Sequence, residues 1–272
     1  MGNCWTVRCA PTKGTRKAAS RVWTRGASPI GPQAFGHGAG FAALLDGTLA
    51  FAPLDYEAAP PEPTMATYRA ARSPFAQTGS PALPQGLNFG AQVWWAGELY
   101  PDAMARATLV PWAQYWAWWL SGVAASEVTS LGCHSDLWNP DAGDWSDLAK
   151  GHDVLGTIRP ALAAATGLPE TVKVLAGLHD SNAALMAARG FAEIARNEAT
   201  VLSTGTWFIA MRLPAAPIAT ADPTQARAIL PEGRDCLVNV DAYGRPVPSA
   251  RFMGGRDIEA LIEIDTRRLD IK

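Results

Sequence analysis

Two short apolar runs, each closing on a cluster of polar residues, organise the middle of the chain. The first is Lys173-Val-Leu-Ala-Gly-Leu-His-Asp-Ser-Asn182 and the second is Thr200-Val-Leu-Ser-Thr-Gly-Thr-Trp207. Runs of this length bounded by turn residues read as buried strands. Upstream, Phe41–Leu45 and Thr48–Phe51 flank Asp46-Gly47, a hairpin signature. Residues 58–64 and 78–90 are rich in Pro and Gly and read as loops. Helices are expected over Ala91–Arg106 and over Pro111–Ser121, the second with Pro111 in its first turn and Gly122 at its end. Residues 139–145 form a turn. A helix over Val154–Thr166 is closed by Gly167 and followed by Pro169. A buried strand at Val172–Ala176 leads into a helix at Ser181–Arg189 ending on Gly190. Strands follow at Ala199–Ser203, Trp207–Arg212 and Cys236–Asp241, and a helix begins within 257–264. Alternation of strands and helices gives an α/β class.

Composition narrows the function classes. The formal charge of −2 across 272 residues offers no cationic surface for a phosphate backbone, so no nucleic-acid partner is expected. No apolar run is long enough to span a membrane, and the Trp-rich stretch Pro111–Leu120 is too short for one. The four cysteines, Cys4, Cys9, Cys133 and Cys236, form no metal-binding spacing, which suits a reduced, cytoplasmic chain. The opening segment differs from the rest: Arg8, Lys13, Arg16, Lys17, Arg21 and Arg25 stand there without an acidic residue and without any period. A loosely attached tail is the favoured reading of residues 1–29, and an organelle-type presequence the other.

The two polar clusters carry the candidate chemistry. A carboxylate at one strand end, Asp180, can take a proton from an alcohol, and a hydroxyl- and glycine-rich turn at another, Ser203-Thr204-Gly205-Thr206, can cradle phosphate with backbone N–H groups. One helix separates the two strands, which is expected to place both motifs on the same edge of a parallel sheet. Each residue also has a plainer reading. Asp180 can cap the helix that follows. His179 can bind substrate, orient Asp180 or simply be buried. Ser203–Thr206 can be an ordinary turn. The tryptophans at 112, 116, 118 and 119 read as a packed helix face. Cys133, His134 and Asp136 are a weak metal signal, and no metal site is assigned to them. Gly254-Gly255 reads as a structural turn before a helix.

The order of these motifs resembles the FGGY carbohydrate kinases, with the closest likeness to deoxysugar kinases of the rhamnulokinase and fuculokinase type. The resemblance is carried by Phe35–Gly47 with Pro53–Tyr56, by Gln92–Trp95 with Pro111–Gly122 and Glu127–Thr129, by Asn139–Trp145, and by Gly177–Asp180 with Ser203–Trp207. It implies an actin-like (ribonuclease H-like) ATPase fold and ATP-dependent phosphorylation of a ketose, deoxysugar or polyol with Mg²⁺. It also implies Asp180 as general base. His37, Gly38, Gln92, Trp94, His179 and Asn182 become sugar contacts, and Ser203, Thr204, Gly205 and Thr206 a phosphate turn. Residues 30–190 correspond to the sugar-binding domain and 198–272 to the start of the nucleotide-binding domain. A first D-x-G-T-type phosphate loop and a later adenosine-binding segment are not found, so the chain is expected to be truncated at both ends and a poor kinase by itself. A non-catalytic remnant, a carbohydrate-binding module and a metal-dependent phosphohydrolase built on His179-Asp180 remain the competing readings. An oligomer is left open.

Overall fold

The computed structural model describes residues 33–138, 148–205, 207–213 and 230–262. The basic segment 1–29, the turn at 139–145 and Thr206 lie outside the described residues. Three sheets make up the strand framework. Strands β1 (Gln33–Gly36), β6 (Lys173–His179) and β5 (Val154–Thr157) form one, in the order β1-β6-β5. Strands β2 (Phe41–Leu45), β3 (Thr48–Leu49) and β4 (Thr108–Pro111) form a second, with β2 central. The third runs β7-β8-β10-β9, from Ala199–Ser203, Phe208–Leu213, Pro246–Phe252 and Cys236–Val240.

The predicted hairpin is present, with Leu45 paired to Thr48 across Asp46-Gly47. The Trp-rich helix Trp112–Ser121 starts after Pro111 and ends at Gly122, whose φ is +86°. It lies between two cores. Trp118 and Tyr115 pack with Phe41, Leu44, Phe89 and Leu109, while Ala117 packs with Ala34, Ile158 and Val174. The tryptophans therefore work as a packed face, with Trp116 edge-on to both Trp112 and Trp119. Arg159 lies 4.7 Å over the Trp118 ring.

Proline explains most departures from expectation. The helix expected over Ala91–Arg106 is two, Phe89–Leu99 and Pro101–Met104, broken at Tyr100-Pro101. The helix expected over Val154–Thr166 is a strand followed by the helix Pro160–Thr166, because Arg159 before a proline is held extended, at ψ 136°. Strand β10 carries Pro246 and Pro248, which hid it from the strand pattern. The segment read as loop at 58–64 gives way at Glu62 to the helix Glu62–Ala71, with proline in its first turn. Gly254 opens the last helix packed on Phe208, consistent with a structural turn.

The β1–β6 pairing sets the position of everything that follows. The two strands run parallel, with a register shift between Gln33↔Leu175 and Phe35↔Leu178. That extra residue is absorbed at Gly177, whose φ is +83°. A Cβ there would collide with the carbonyl oxygen of Ala34. Glycine is required twice over, for the backbone angle and for the close approach. Among the described residues no helix is long and apolar enough to cross a membrane.

Two alanine substitutions separate these effects. Gly47 also has positive φ (+78°) but faces open space, so Gly47→Ala should cost about 1 kcal/mol. Gly177→Ala adds a backbone collision and should cost at least about 3 kcal/mol. Urea unfolding of both variants measures the difference, and equal losses would remove the structural role assigned to Gly177.

Candidate active site

The bulge at Gly177 delivers Leu178, His179 and Asp180 to the end of β6, where the helix Asp180–Ala188 begins. The adjoining end of β1 leads into His37 and Gly38. Both strand ends open onto one cavity of about 440 Å³. Its walls include His37, Gly38, His179, Asp180, Ser203, Thr204 and Gly205, so two segments distant in sequence meet there. The reason differs from the one expected. Strands β6 and β7 belong to different sheets, so no shared parallel edge aligns the motifs. The β7-β8-β10-β9 sheet lines the same cavity as His37 and His179, through Ile209, Leu237, Asn239 and Arg251, and that shared wall brings the motifs together.

Asp180 stands in the first turn of its helix, about half exposed. Its Oδ1 accepts the Ser181 N–H at 2.6 Å, but the helix starts one residue earlier than expected and His179, not Asp180, stands at the cap position. The same oxygen lies 3.2 Å from His179 Nε2. Burial lowers the affinity of His179 for a proton, which keeps the ring neutral at ordinary pH. Asn182 Nδ2 lies 3.4 Å from His179 Nδ1. The arrangement consistent with both contacts has the Asn182 amide donating to Nδ1 and Nε2–H donating to Asp180. His179 is then a link that holds the carboxylate.

Behind His179 lies a buried network. The His179 N–H donates to Thr129 Oγ1 at 3.0 Å. The Thr129 hydroxyl donates to Glu127 Oε2 at 2.7 Å, which also accepts the Thr129 and Ser130 N–H groups at 3.0 Å. Glu127 is fully buried and caps the short helix Val128–Leu131. Desolvation outweighs these bonds and pushes its carboxyl up to about 7. The sequence showed Glu127-Val-Thr129 but nothing that distinguished a buried cap from a surface carboxylate.

The remaining candidates divide. His37 lines the cavity, its ring centroid 4.8 Å from Tyr56 and 6.1 Å from Trp112. Its proton affinity is lowered, mainly by burial. Gly38 lines it too, and a side chain there would overlap Cys133 Sγ. Three residues expected to touch ligand do not reach the cavity. Gln92 is fully buried, and its Nε2 donates to the carbonyls of Ala39 and Gly86 (2.6 Å to the latter), tying the loop before it to the β1–β2 connection. Trp94 lies on a separate surface pocket with Tyr68, Arg72 and Asp136. Asn182 is fully buried beneath His179. In each case helix register turns the side chain inward or away, which loop-adjacent position alone could not reveal.

The three-residue metal signal also dissolves. Asp136 is drawn off into a buried ion pair with Arg72 (2.7 Å) that Tyr68 joins by donating to Asp136 Oδ2. Cys133, His134 and His179 do place donor atoms within 4.8 Å of one another. Cys133 is already spent on the Ser130 carbonyl at 3.2 Å, and burial raises its thiol to about 12. Sequence reading missed Tyr56, His134, Asn239 and Arg251, all on the cavity wall. Tyr56 stood in a motif already noted and His134 was weighed only as a metal ligand, while Asn239 and Arg251 lie on strands with no polar pattern of their own.

The Ser203–Gly205 turn suits a phosphate. Thr204 and Gly205 are exposed, and a Cβ on Gly205 would meet only the Trp207 carbonyl, at 3.8 Å, so backbone N–H groups can be approached closely. Asp180 is the one carboxylate among the described residues of the wall. That donor set fits Mg²⁺ arriving with a nucleotide, since such ions take one or two carboxylates and complete their shell with phosphate oxygens and water.

Comparison with known proteins follows the same line. Residues 196–272 match the C-terminal domain of the FGGY carbohydrate kinases. The structure is similar to a carbohydrate kinase from Novosphingobium aromaticivorans, with 65% identity and a TM-score of 0.76, covering 88% of this chain and 54% of that one. A xylulose kinase from Rhodospirillum rubrum shares the fold at 18% identity and a TM-score of 0.65, covering 90% of this chain and 51% of that one. A gluconate kinase from Lactobacillus acidophilus does so at 11% identity and a TM-score of 0.59, covering 94% of this chain and 52% of that one. The chain thus spans about half the length of the solved structures it matches. No curated protein matches it.

The buried carboxyl gives a pH test. An acid whose folded pKa is raised stabilises the fold while protonated. The contribution of Glu127 is therefore complete below about 4.5 and lost as pH rises towards about 7. Over that window it should withdraw up to about 3 kcal/mol. Glu127→Gln keeps an acceptor oxygen for Thr129 and Ser130 and should flatten this slope in thermal melts from pH 4.5 to 7. An unchanged slope would show that Glu127 titrates normally.

Proposed function

We propose that this chain, a relative of the FGGY carbohydrate kinases by its fold and by residues 196–272, supplies the site at which a sugar hydroxyl is phosphorylated by ATP. The observation that carries the reading is the meeting of Asp180 with the Ser203–Gly205 turn in one cavity. On this reading residues 30–190 hold the sugar and residues 198–272 begin the nucleotide side.

The roles follow from chemistry. The sugar occupies the cavity with its reacting hydroxyl at Asp180, which takes the proton as the phosphoryl group arrives. His179 holds Asp180 through Nε2, and Thr129 and Glu127 hold the His179 backbone. Thr204 and Gly205 offer backbone N–H groups to phosphate oxygens, and the hydroxyls of Ser203 and Thr204 add donors. Thr206 completes this turn in the proposal. His37 and Tyr56 give the sugar a partly aromatic wall with polar edges. Mg²⁺, when bound with ATP, offsets the charge of the phosphates. The family likeness supports carbohydrate phosphorylation in general. The finer likeness to deoxysugar kinases rests on sequence motifs alone, and an oligomeric assembly stays open.

A single substitution separates binding from chemistry. Asp180→Asn keeps the size and one acceptor but cannot take a proton. Phosphorylation in a coupled ADP-release assay across ketoses, deoxysugars and polyols should fall about 100- to 10,000-fold. Sugar affinity by calorimetry should change by no more than about threefold. Retained turnover in Asp180→Asn would remove Asp180 from the base role.

A further inference from the structure

The cavity that holds the Asp180 carboxylate also holds a cation, Arg251. His134 lines it as well, its ring centroid 6.4 Å from that of His179, and its basicity is lowered by burial above all, then by the charges of His179 and Arg251. Strand pairing fixes the place of Arg251 in the sheet. Ser203 pairs with Ile209 and Ile209 with Arg251, so the three form one row across β7, β8 and β10. All three line the cavity. Two inter-strand steps put the Arg251 backbone about 10 Å from that of Ser203.

Arg251 is an unusual residue for such a place. It is only 8% exposed, and its guanidinium lies 4.7 Å over the Trp207 ring. One counter-charge is present: Nη2 donates to Asp235 Oδ1 at 3.0 Å, and Asp235 is itself mostly exposed. Nε is buried without a partner, and so is Oδ1 of Asn239 on the neighbouring strand β9. Burial of a cation against a single rim carboxylate, with a donor unspent, is costly unless something completes it. The guanidinium fork is shaped for a planar carboxylate, and stacking on Trp207 fixes its plane.

This rests on the sugar-kinase reading above and narrows its substrate. We propose that the cavity accepts an acidic sugar of the aldonate or uronate class, with its carboxylate on Arg251 beside His134 and Asn239 and its reacting hydroxyl towards Asp180. Arg251 and Asn239 belong to residues 198–272, which on the reading above begin the nucleotide side, so a nucleotide phosphate is the other source of negative charge, and the ADP arm of the test below separates the two.

Calorimetry of the full chain without nucleotide tests this, with D-gluconate and D-glucuronate set against D-glucitol and D-xylulose. At least one acid should bind about 10-fold or more tighter than the neutral sugars. Arg251→Met, which keeps a stem over Trp207, should weaken the acid about 10- to 100-fold and the neutral sugars by less than about threefold. Arg251→Lys should recover part of the loss, and both variants are checked for folding by circular dichroism. If Arg251→Met does not fold, the Lys variant and the acid-to-neutral ratio of the unaltered chain still decide. Neutral sugars binding as tightly as acids, or both weakened equally by Arg251→Met, would overturn the acidic-sugar assignment and leave the kinase reading standing. Loss of ADP binding in Arg251→Met with acid binding unchanged would assign Arg251 to the nucleotide and overturn it too. Absence of binding by either sugar class would overturn both readings.

Discussion

The parallel contact between β1 and β6 is possible only because Gly177 has no side chain. At that point the backbone of β6 runs against the Ala34 carbonyl with φ at +83°. The extra residue in β6 shifts its end relative to β1, so His37 and His179 come out on one side of the sheet edge and both reach the cavity. A Cβ there would collide with the Ala34 carbonyl oxygen, so any larger residue would force the strands apart and move Asp180 with them. A displacement of about 1 Å is enough to cost a catalytic site 100-fold.

Burial then turns this geometry into a rigid site. Glu127 is cut off from water and gathers four donors from Thr129 and Ser130 on one oxygen. Thr129 passes that constraint to the His179 backbone, and His179 passes it to Asp180. The chain of contacts runs from a buried helix cap to a half-exposed carboxylate. It explains why a histidine whose basicity is lowered by burial stands beside the proposed base: a neutral ring can donate to the carboxylate without adding a competing charge.

Much of the frame was legible because local chemistry decided it. Gly122 and Gly167 ended helices in the left-handed conformation, Asp46-Gly47 closed a hairpin, and two apolar runs became β6 and β7. Asp180 and the Ser203–Gly205 turn were legible as strand-end chemistry. What the sequence hid was decided by proline in some places and by non-local packing in others. Arg159-Pro160 converted half of an expected helix into an edge strand, and the prolines of β10 masked the strand that carries Arg251. Gln92 looked like a ligand-facing amide but spends its donors on two buried carbonyls. Trp94 looked like a sugar contact but faces another pocket. The two site motifs were expected on one sheet edge and sit on two sheets, joined by packing that no local pattern encodes.

The account stands or falls on where a sugar lies. A crystal structure of the chain with a bound sugar and a non-hydrolysable ATP analogue measures this directly. One sugar hydroxyl should lie within about 2.6–3.2 Å of an Asp180 carboxylate oxygen, with the terminal phosphate against the N–H groups of Thr204 and Gly205. A sugar seated in another pocket, or a phosphate held away from the Ser203–Gly205 turn while Asp180 touches neither, would contradict it.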